Sequence, residues 1–368
     1  MSHRRKKIVR LLPVLDFGGV ESRVTLQSSL MDHERFELRV CTFWKPGQAA
    51  EAIRELGVPV DVLDVDPSVR NPRATLKLWA YLAQQKPDVL HASIAEAMFH
   101  GAIASWLAGT PLSIIEDTGV PARSASGNLA YAAISRLVDV VIGVSQATCD
   151  YLLTEDRMPR DRVELLYNCG NPRFFTARTR GYKRQGPLRL FTAGRLVPVK
   201  NHETLLRAVA HLVHEEGRDI TLDIAGDGAL RDELSALVET LDLGAHVTML
   251  GFRTDVRELL DAHDVFVIPS HSEGCSVALL EAMATGIPPL GSTASGVREV
   301  MGELGDAYLT DSTDLQGWID VLRTAHEWSD AEREELGDAA REIAHRRFSP
   351  SRYIGALHDL YDRAPRRG

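Results

Sequence analysis

Two glutamates separated by seven residues, Glu273 and Glu281, form the strongest chemical signal in the sequence. In residues 270–286, a polar loop with a glycine follows an apolar run and precedes an apolar helical pattern. Open parallel sheets bind ligands at the carboxyl ends of their strands, where such loops lie. An unpaired carboxylate in an apolar helix is costly, so Glu281 needs a ligand or a buried partner. The spacing predicts two carboxylates that bind different hydroxyls of a sugar-like ligand; the alternative is a helix cap and a solvated helix residue.

Two cations follow a second apolar run. Arg195 and Lys200 lie on one loop, directly after Gly194, and a helical pattern begins at about His202. A planar guanidinium and a compact ammonium at the carboxyl edge of a sheet suit a diphosphate. The alternative is a pair of solvated surface bases.

A glycine turn, Gly18-Gly19, follows the first apolar run. It lacks the spacing of a dinucleotide-binding fingerprint, and no phosphate-loop lysine follows it. The sequence therefore argues against NAD binding and P-loop hydrolysis. No C-x-x-C pair is present, and the two cations Arg195 and Lys200 make a bound metal unnecessary, so no metal is expected.

Strand-like and helix-like segments alternate along the chain, which predicts parallel sheets with helices on both faces. The alternation starts with a strand over residues 8–15, pauses in the polar, basic residues 171–187, and then restarts. A length of 368 residues suits two domains. We predict an N-terminal Rossmann-like domain over residues 1–180, a C-terminal one over 181–348, and a helix over 349–368.

Composition excludes several classes of function. The formal net charge of -9 argues against a broad nucleic-acid binder. No run approaches 18 apolar residues, so no membrane span is expected. The four cysteines are widely spaced, which predicts free thiols in a reducing cytoplasm. Basic residues 4–7 and 178–184 could attach the chain weakly to the inner face of an anionic membrane, or could be solvated.

In combination, these motifs resemble retaining glycosyltransferases of family 4, which have the GT-B fold of two Rossmann-like, doubly wound domains that face a cleft. The motifs occur in the family's order over essentially the whole chain. The residues that carry the resemblance are Gly18 to Glu21, Ser145, Asn168 to Gly170 with Phe174 or Phe175, Gly194 to Lys200, Gly226 to Gly228, Gly251-Phe252, and Glu273 to Glu281.

The resemblance implies a role for each motif. Arg195 and Lys200 would bind the diphosphate of a nucleotide-sugar donor such as a UDP-sugar, and Glu281 would bind the ribose. Glu273 and the backbone of Gly274, Cys275 and Ser276 would hold the donor sugar. Gly251 and Phe252 would flank the base, and Gly18 and Gly19 would close on the phosphates or the acceptor.

One position departs from the family pattern. Many relatives carry a histidine after a strand of the first domain, near the reacting sugar, and the matching position here is Asp117. An aspartate cannot replace a neutral imidazole as a donor, although it can accept a sugar hydroxyl. His91 and His100 are further candidates, and each also fits a purely structural role.

The expected reaction moves a sugar to an acceptor hydroxyl with retention, with Glu273, Arg195, Lys200 and Asp117 as the catalytic candidates and no cofactor beyond the donor. The acceptor stays open among glycans, lipid-linked glycans and small molecules. Two alternatives remain at this stage: a sugar-nucleotide epimerase on the same fold, and a non-catalytic nucleotide-sugar-binding subunit. Fold alone does not separate them.

Overall fold

The computed structural model describes residues 4–16, 18–44, 46–119, 125–176 and 186–365. They form two compact units, of which the first comprises Met1–Asn168 with Ser351–Gly368 and the second comprises Cys169–Pro350. The basic residues 178–184, and most of the expected linker, lie outside the described residues.

The first unit is built on a parallel seven-stranded sheet in the order β3-β2-β1-β4-β5-β6-β7. Strands are added to both sides of β1, so right-handed crossovers place helices on both faces. Its elements are β1 Lys6–Leu12, α1 Gly19–Leu30, β2 Phe36–Thr42, α2 Gln48–Glu55, β3 Val60–Val62, α3 Pro72–Gln85, β4 Val89–Ser93, α4 Ala95–Ala108, β5 Leu112–Asp117, α5 Ala125–Ile134, β6 Val140–Gly143, α6 Gln146–Thr154 and β7 Val163–Leu165.

The second unit repeats the architecture with a parallel six-stranded sheet in the order β10-β9-β8-β11-β12-β13. The prediction of two parallel-sheet α/β domains is therefore confirmed. Its elements are β8 Leu188–Ala193, α7 His202–His214, β9 Ile220–Ala225, α8 Arg231–Thr240, β10 Val247–Gly251, α9 Val256–Ala262, β11 Val265–Ile268, α10 Val277–Thr285, β12 Pro289–Ser292, α11 Ser295–Met301, β13 Leu309–Thr310, α12 Leu315–Glu327 and α13 Asp330–Phe348.

The segment 169–176 lies in the second unit, whereas the sequence analysis grouped it with the first domain. Its short 3-10 helix, Pro172–Phe175, packs on α10. The buried guanidinium of Arg257, on α9, donates hydrogen bonds to the carbonyl oxygens of Arg173 and Phe174, 3.2 and 3.1 Å away. These contacts attach the segment to helices α9 and α10 of the second unit.

Strand β1 ends at Leu12, three residues before the expected end, because Pro13 has no N–H to donate to a ladder. The strand carries a charged residue, Arg10, in its buried centre. Arg10 donates to Glu116 Oε2 on β5 over 2.8 Å, and Arg23 on α1 donates to Glu116 Oε1. Ser93 Oγ donates to the same carboxylate over 2.5 Å.

This buried cluster sets the protonation of its members. Burial alone raises the pKa of Glu116, but the Arg23 and Arg10 guanidinium groups outweigh burial and hold that pKa well below its ordinary value. Burial, with Arg10 nearby, lowers the pKa of His91 to about 4. Loss of one partner of a buried charge pair costs about 3–5 kcal/mol, so the cluster constrains how β1, α1 and β5 pack.

The last helix, α14 (Pro350–Asp362), is tied into the first unit. Gln27 Nε2 donates to the Tyr361 hydroxyl, and this hydroxyl is also hydrogen-bonded to His91 Nδ1, each over 2.8 Å. His91 Nε2 lies 3.4 Å from Glu116 Oε2. Lys6 Nζ donates to the last carbonyl groups of α14, where a cation also stabilises the helix dipole.

We expect Leu357→Ala to destabilise the first unit, because Leu357 lies on α14 and its side chain is fully buried. Such a truncation costs about 2–5 kcal/mol. Amide hydrogen exchange in β1 and β2 measures the loss, and Asp359→Ala, at an exposed position of the same helix, is the control. Equal protection in the two variants would show that α14 does not stabilise this sheet.

Candidate active site

The candidate site of the second unit begins where β8, β9 and β10 end. Gly194 N–H donates to the Ala225 carbonyl, and Gly226 N–H donates to the Gly251 carbonyl, over 2.9 and 2.8 Å. A Cβ atom at position 226 would lie 1.8 Å from the Gly194 carbonyl oxygen, and Gly226 has a φ of +153°. Only glycine fits both constraints, so Gly226 lets the three strand-end loops touch.

Lys200 ends a 3-10 turn, Pro198–Lys200, on the loop after β8. Its Nζ lies 2.5 Å from Glu273 Oε1, and Ser270 Oγ donates to that same oxygen over 2.7 Å. Two residues predicted from separate motifs thus form one ion pair at the edge of the sheet. Glu273 Oε2 accepts no hydrogen bond from any residue that the structure describes.

Arg195 lies on the same loop and is exposed. Across the described ranges, its guanidinium has no hydrogen-bond or ion-pair partner. Five N–H donors at the carboxyl edge of the sheet are therefore available to an anion.

The loop between β11 and α10 carries Gly274, Cys275 and Ser276. A Cβ atom at Gly296, in the first turn of α11, would lie 2.0 Å from the Gly274 carbonyl oxygen, so α11 supports this loop by close backbone contact. Ser276 is the N-cap of α10, but its side chain makes no capping hydrogen bond. The first N–H groups of α10 are consequently suited to a polar or anionic ligand.

Glu281 makes contacts separate from those of Glu273. Its Oε1 accepts a hydrogen bond from the Asn171 backbone N–H over 3.0 Å. Burial raises the pKa of Glu281 to about 7, although this hydrogen bond and the charge of Arg173 act in the opposite direction. No described residue donates to Oε2.

Gly251 and Phe252 follow β10, where the ladder with β9 shifts register between Met249 and Gly251. The Phe252 side chain is 55% exposed. Since Gly251 is bonded to Gly226, this exposed ring lies on the same set of strand-end loops as Arg195 and Lys200.

The predicted residues of the first unit lie at the carboxyl edge of its own sheet. Gly18 is the N-cap of α1, which begins at Gly19. Asp117 is the buried last residue of β5, and its carboxylate accepts a hydrogen bond from the Tyr131 hydroxyl. The structure places the Glu116 cluster one residue earlier, which the sequence analysis did not predict.

Neither histidine candidate has a geometry that suggests chemistry. His91 is fully buried between Tyr361 and Glu116. His100 is hydrogen-bonded through Nδ1 to Thr75 Oγ1 over 2.7 Å and through Nε2 to the Pro67 carbonyl oxygen over 3.0 Å. Both imidazoles are held by protein partners, which fits their structural interpretation.

The described residues contain neither a metal-binding cluster nor a membrane-spanning helix. No group of three or more His, Cys, Asp or Glu side chains there could hold a metal ion. No helix there is both long and apolar enough to cross a membrane. All four cysteines are buried free thiols.

Two family models match the chain over adjacent ranges. The model described as "Glycosyltransferase Family 4" matches residues 17–173, and the model described as "Glycosyl transferases group 1" matches residues 175–343.

Among curated proteins, the chain is similar to an Escherichia coli enzyme named UDP-Gal:alpha-D-GlcNAc-diphosphoundecaprenol alpha-1,3-galactosyltransferase. The two are 27% identical over 87% of this chain and 88% of the relative. The chain is also 26% identical to the putative glycosyltransferase EpsF of Bacillus subtilis (strain 168), over 98% of each chain.

Among solved structures, Anabaena HepE in complex with UDP and glucose has a TM-score of 0.83 and 19% identity. The match covers 98% of this chain and all of HepE. A glycosyltransferase from Rickettsia africae has a TM-score of 0.82 and 14% identity, over 98% and 99% of the two chains. At these identities the likeness shows the fold, which is that of GT-B glycosyltransferases.

The raised pKa of Glu281 predicts a pH dependence of stability. The folded pKa of about 7 exceeds the ordinary value of 4.5, so folded Glu281 keeps a proton that the unfolded chain loses between these values. The free energy of unfolding therefore falls as pH rises through this window, by at most about 1.4 kcal/mol per pH unit, and is level above it. Glu281→Gln should remove this component.

Urea unfolding at a series of pH values measures the slope, with pulsed hydrogen exchange to report the second unit separately. Glu239→Gln, at an exposed position on α8, is the matched control and should keep the slope. The same slope in the Glu281 variant would mean that this carboxyl titrates normally.

Proposed function

Because this chain belongs to glycosyltransferase family 4, we propose that it transfers a sugar from a UDP-sugar to an acceptor hydroxyl and retains the anomeric configuration. The observation that carries the proposal is the loop after β8, which holds both Lys200, paired with Glu273, and exposed Arg195, whose guanidinium has no partner among the described residues. UDP is supported by the name of the Escherichia coli relative and by the UDP bound in HepE. Relatives named as transferases favour transfer over epimerisation.

In this proposal the donor diphosphate binds to the two cationic side chains of this loop, Arg195 and Lys200. Arg195 offers a planar set of donors to two phosphate oxygens, and Lys200 Nζ lies on the same loop. Negative charge grows on the diphosphate as the glycosidic bond breaks, so fixed cations there lower the barrier. Two side-chain cations balance this charge without a divalent metal in our proposal.

The carboxylates of Glu273 and Glu281 bind different parts of the donor. Glu273 is held through Oε1 by Lys200 and Ser270, which leaves Oε2 for a hydroxyl of the donor sugar. Glu281 is held through Oε1 by Asn171 N–H, which leaves Oε2 for the ribose. The N–H groups of Gly274, Cys275 and Ser276 bind the remaining sugar and phosphate oxygens.

The remaining predicted residues receive two roles. Gly251 and exposed Phe252 flank the uracil base, because an aromatic ring can stack on it. In the first unit, Gly18, Gly19 and Asp117 serve the acceptor side, since they lie at the carboxyl edge of that sheet. We assign acceptor hydroxyl deprotonation to a donor phosphate oxygen, on the same face as the departing diphosphate.

The acceptor in this proposal is a sugar carried by a polyprenyl diphosphate. The support is the Escherichia coli relative, whose name specifies a diphosphoundecaprenol-linked acceptor and which matches 87% of this chain. In this proposal the reaction belongs to polysaccharide or glycolipid biosynthesis.

Arg195→Ala and Lys200→Ala should each raise the Kd for UDP by about tenfold to a hundredfold, since a charge-assisted hydrogen bond contributes about 1.5–3 kcal/mol. Calorimetric titration of UDP measures affinity, and NMR of the product shows whether a retained glycosidic bond forms. Arg207→Ala is the control, because Arg207 is exposed on α7 and, among the described residues, is paired with exposed Glu203. Wild-type affinity in both loop variants would remove this loop from the donor site.

Glu273→Gln should lower kcat more than it weakens UDP binding, whereas Glu281→Gln should mainly weaken UDP binding. A ribose contact exists before and during the reaction, whereas a contact to the reacting sugar strengthens in the transition state. Steady-state kinetics with UDP inhibition constants separate the two effects. Equal losses of UDP affinity would contradict this division.

A further inference from the structure

Asn201 directly follows Lys200 and has a backbone conformation that residues other than glycine adopt only rarely. Its φ is +52° and its ψ is +41°, in the left-handed region. This region costs free energy for a residue with a side chain, so the surrounding contacts must hold Asn201 there. Asn201 is buried, and its side chain makes those contacts.

The Asn201 amide joins the loops that follow three strands. Its Nδ2 donates to the Pro269 carbonyl oxygen, 3.1 Å away, and to the Ser312 carbonyl oxygen, 2.6 Å away. Carbonyl oxygens only accept hydrogen bonds, so the amide nitrogen must face them, and both of its protons are used. Pro269 follows β11, Ser312 follows β13, and Asn201 lies on the loop after β8. One side chain therefore fixes three loops at the carboxyl edge of the sheet.

The same side chain does not cap the helix that it precedes. Asn201 is the N-cap of α7, where an asparagine side chain ordinarily accepts a hydrogen bond from a backbone N–H of the first turn. In this helix, which the structure describes in full, that capping bond is absent. Instead, Oδ1 accepts from the Thr204 hydroxyl, 2.8 Å away. The amide is thus oriented toward the two loops, and the stability of α7 does not explain its position.

The backbone of Lys200 is held on both sides by the loop after β11. Before it, the Val199 carbonyl oxygen accepts a hydrogen bond from the His271 backbone N–H over 2.8 Å. After it, Asn201 is bonded to Pro269. Lysine has a flexible four-carbon stem, so a backbone that is fixed on both sides restricts where the ammonium can lie.

The carboxylate partner of Lys200 is held by that same loop. Ser270, next to Pro269, donates to Glu273 Oε1 over 2.7 Å, and Lys200 Nζ lies 2.5 Å from this oxygen. The Asn201 amide therefore connects the backbone that carries the ammonium with the backbone that fixes the carboxylate. Without the amide, the two loops could separate although both charged side chains remain.

We propose that Asn201 is a positioning residue for sugar transfer, whose amide holds Lys200 where negative charge develops on the departing diphosphate. The inference rests on the proposed function, in which Lys200 binds that diphosphate. A displaced but flexible ammonium can still reach a bound diphosphate, whereas stabilisation of the transition state needs the charge already in place. Asn201 therefore affects turnover more than it affects nucleotide affinity.

Asn201→Gly tests the proposal, because glycine tolerates the left-handed conformation and only the amide is lost. We expect kcat to fall by about tenfold to a hundredfold, as for a misplacement of about 1 Å, while the Kd for UDP changes by less than about threefold. Release of UDP, with the UDP-hexose that the wild type uses best and a short, water-soluble acceptor analogue, gives kcat. Calorimetric titration of UDP gives Kd. Asn201→Asp should not restore kcat, since a carboxylate cannot donate to two carbonyl groups.

Asp242→Gly is the matched control, because Asp242 is an exposed residue with a φ of +51° on the loop before β10, at the opposite edge of the sheet. It should change neither kcat nor Kd. A double-mutant cycle then separates positioning from general destabilisation. If Asn201 acts through Lys200, Asn201→Gly should lower kcat much less in the Lys200→Ala background than in the wild type.

A wild-type kcat for Asn201→Gly would overturn the positioning role, and so would equal losses of kcat in the two backgrounds. A crystal structure of Asn201→Gly should show Lys200 Nζ displaced from Glu273 Oε1, and an unchanged ion pair there would also overturn the proposal. Wild-type protein that binds no UDP would contradict the proposed function instead. The crystal comparison would still decide whether Asn201 positions Lys200.

Discussion

The ion pair between Lys200 and Glu273 is the contact on which the candidate donor site depends. It joins two strand-end loops that are 73 residues apart in the chain, and Ser270 fixes the same carboxylate oxygen. The ammonium then lies on one loop with Arg195, and the second carboxylate oxygen is left for a ligand. Gly226 makes the arrangement possible, because a side chain there would collide with the Gly194 carbonyl and separate the loops.

The first unit depends in a similar way on a buried charged side chain, the Glu116 carboxylate. Glu116 forms ion pairs with both Arg10 and Arg23. It therefore links β5 with β1 and with helix α1, which begins at Gly19. Tyr361 extends this network to the last helix through His91. Helix α14 therefore stabilises the sheet that carries Gly18, Gly19 and Asp117 at its carboxyl edge.

The sequence was sufficient for the alternation of strands and helices, since buried strands and amphipathic helices have distinct periodicities. It also predicted Lys200 and Glu273 as members of one site.

The sequence did not predict the edge strands β7 and β13, which have three and two residues and are too short to show a period. Arg10 and Glu116 each interrupt an apolar run, which signals a buried partner, but the pairing depends on sheet order. The Glu281–Asn171 contact likewise depends on tertiary packing across 110 residues.

We propose that the loop after β8 holds the donor diphosphate, and a crystal structure of the chain with UDP tests this assignment. We expect phosphate oxygens within about 3 Å of the Arg195 guanidinium and of Lys200 Nζ, with the ribose hydroxyls on Glu281. UDP bound elsewhere on the second unit, or phosphates that contact neither Arg195 nor Lys200, would show that this loop is not the donor site.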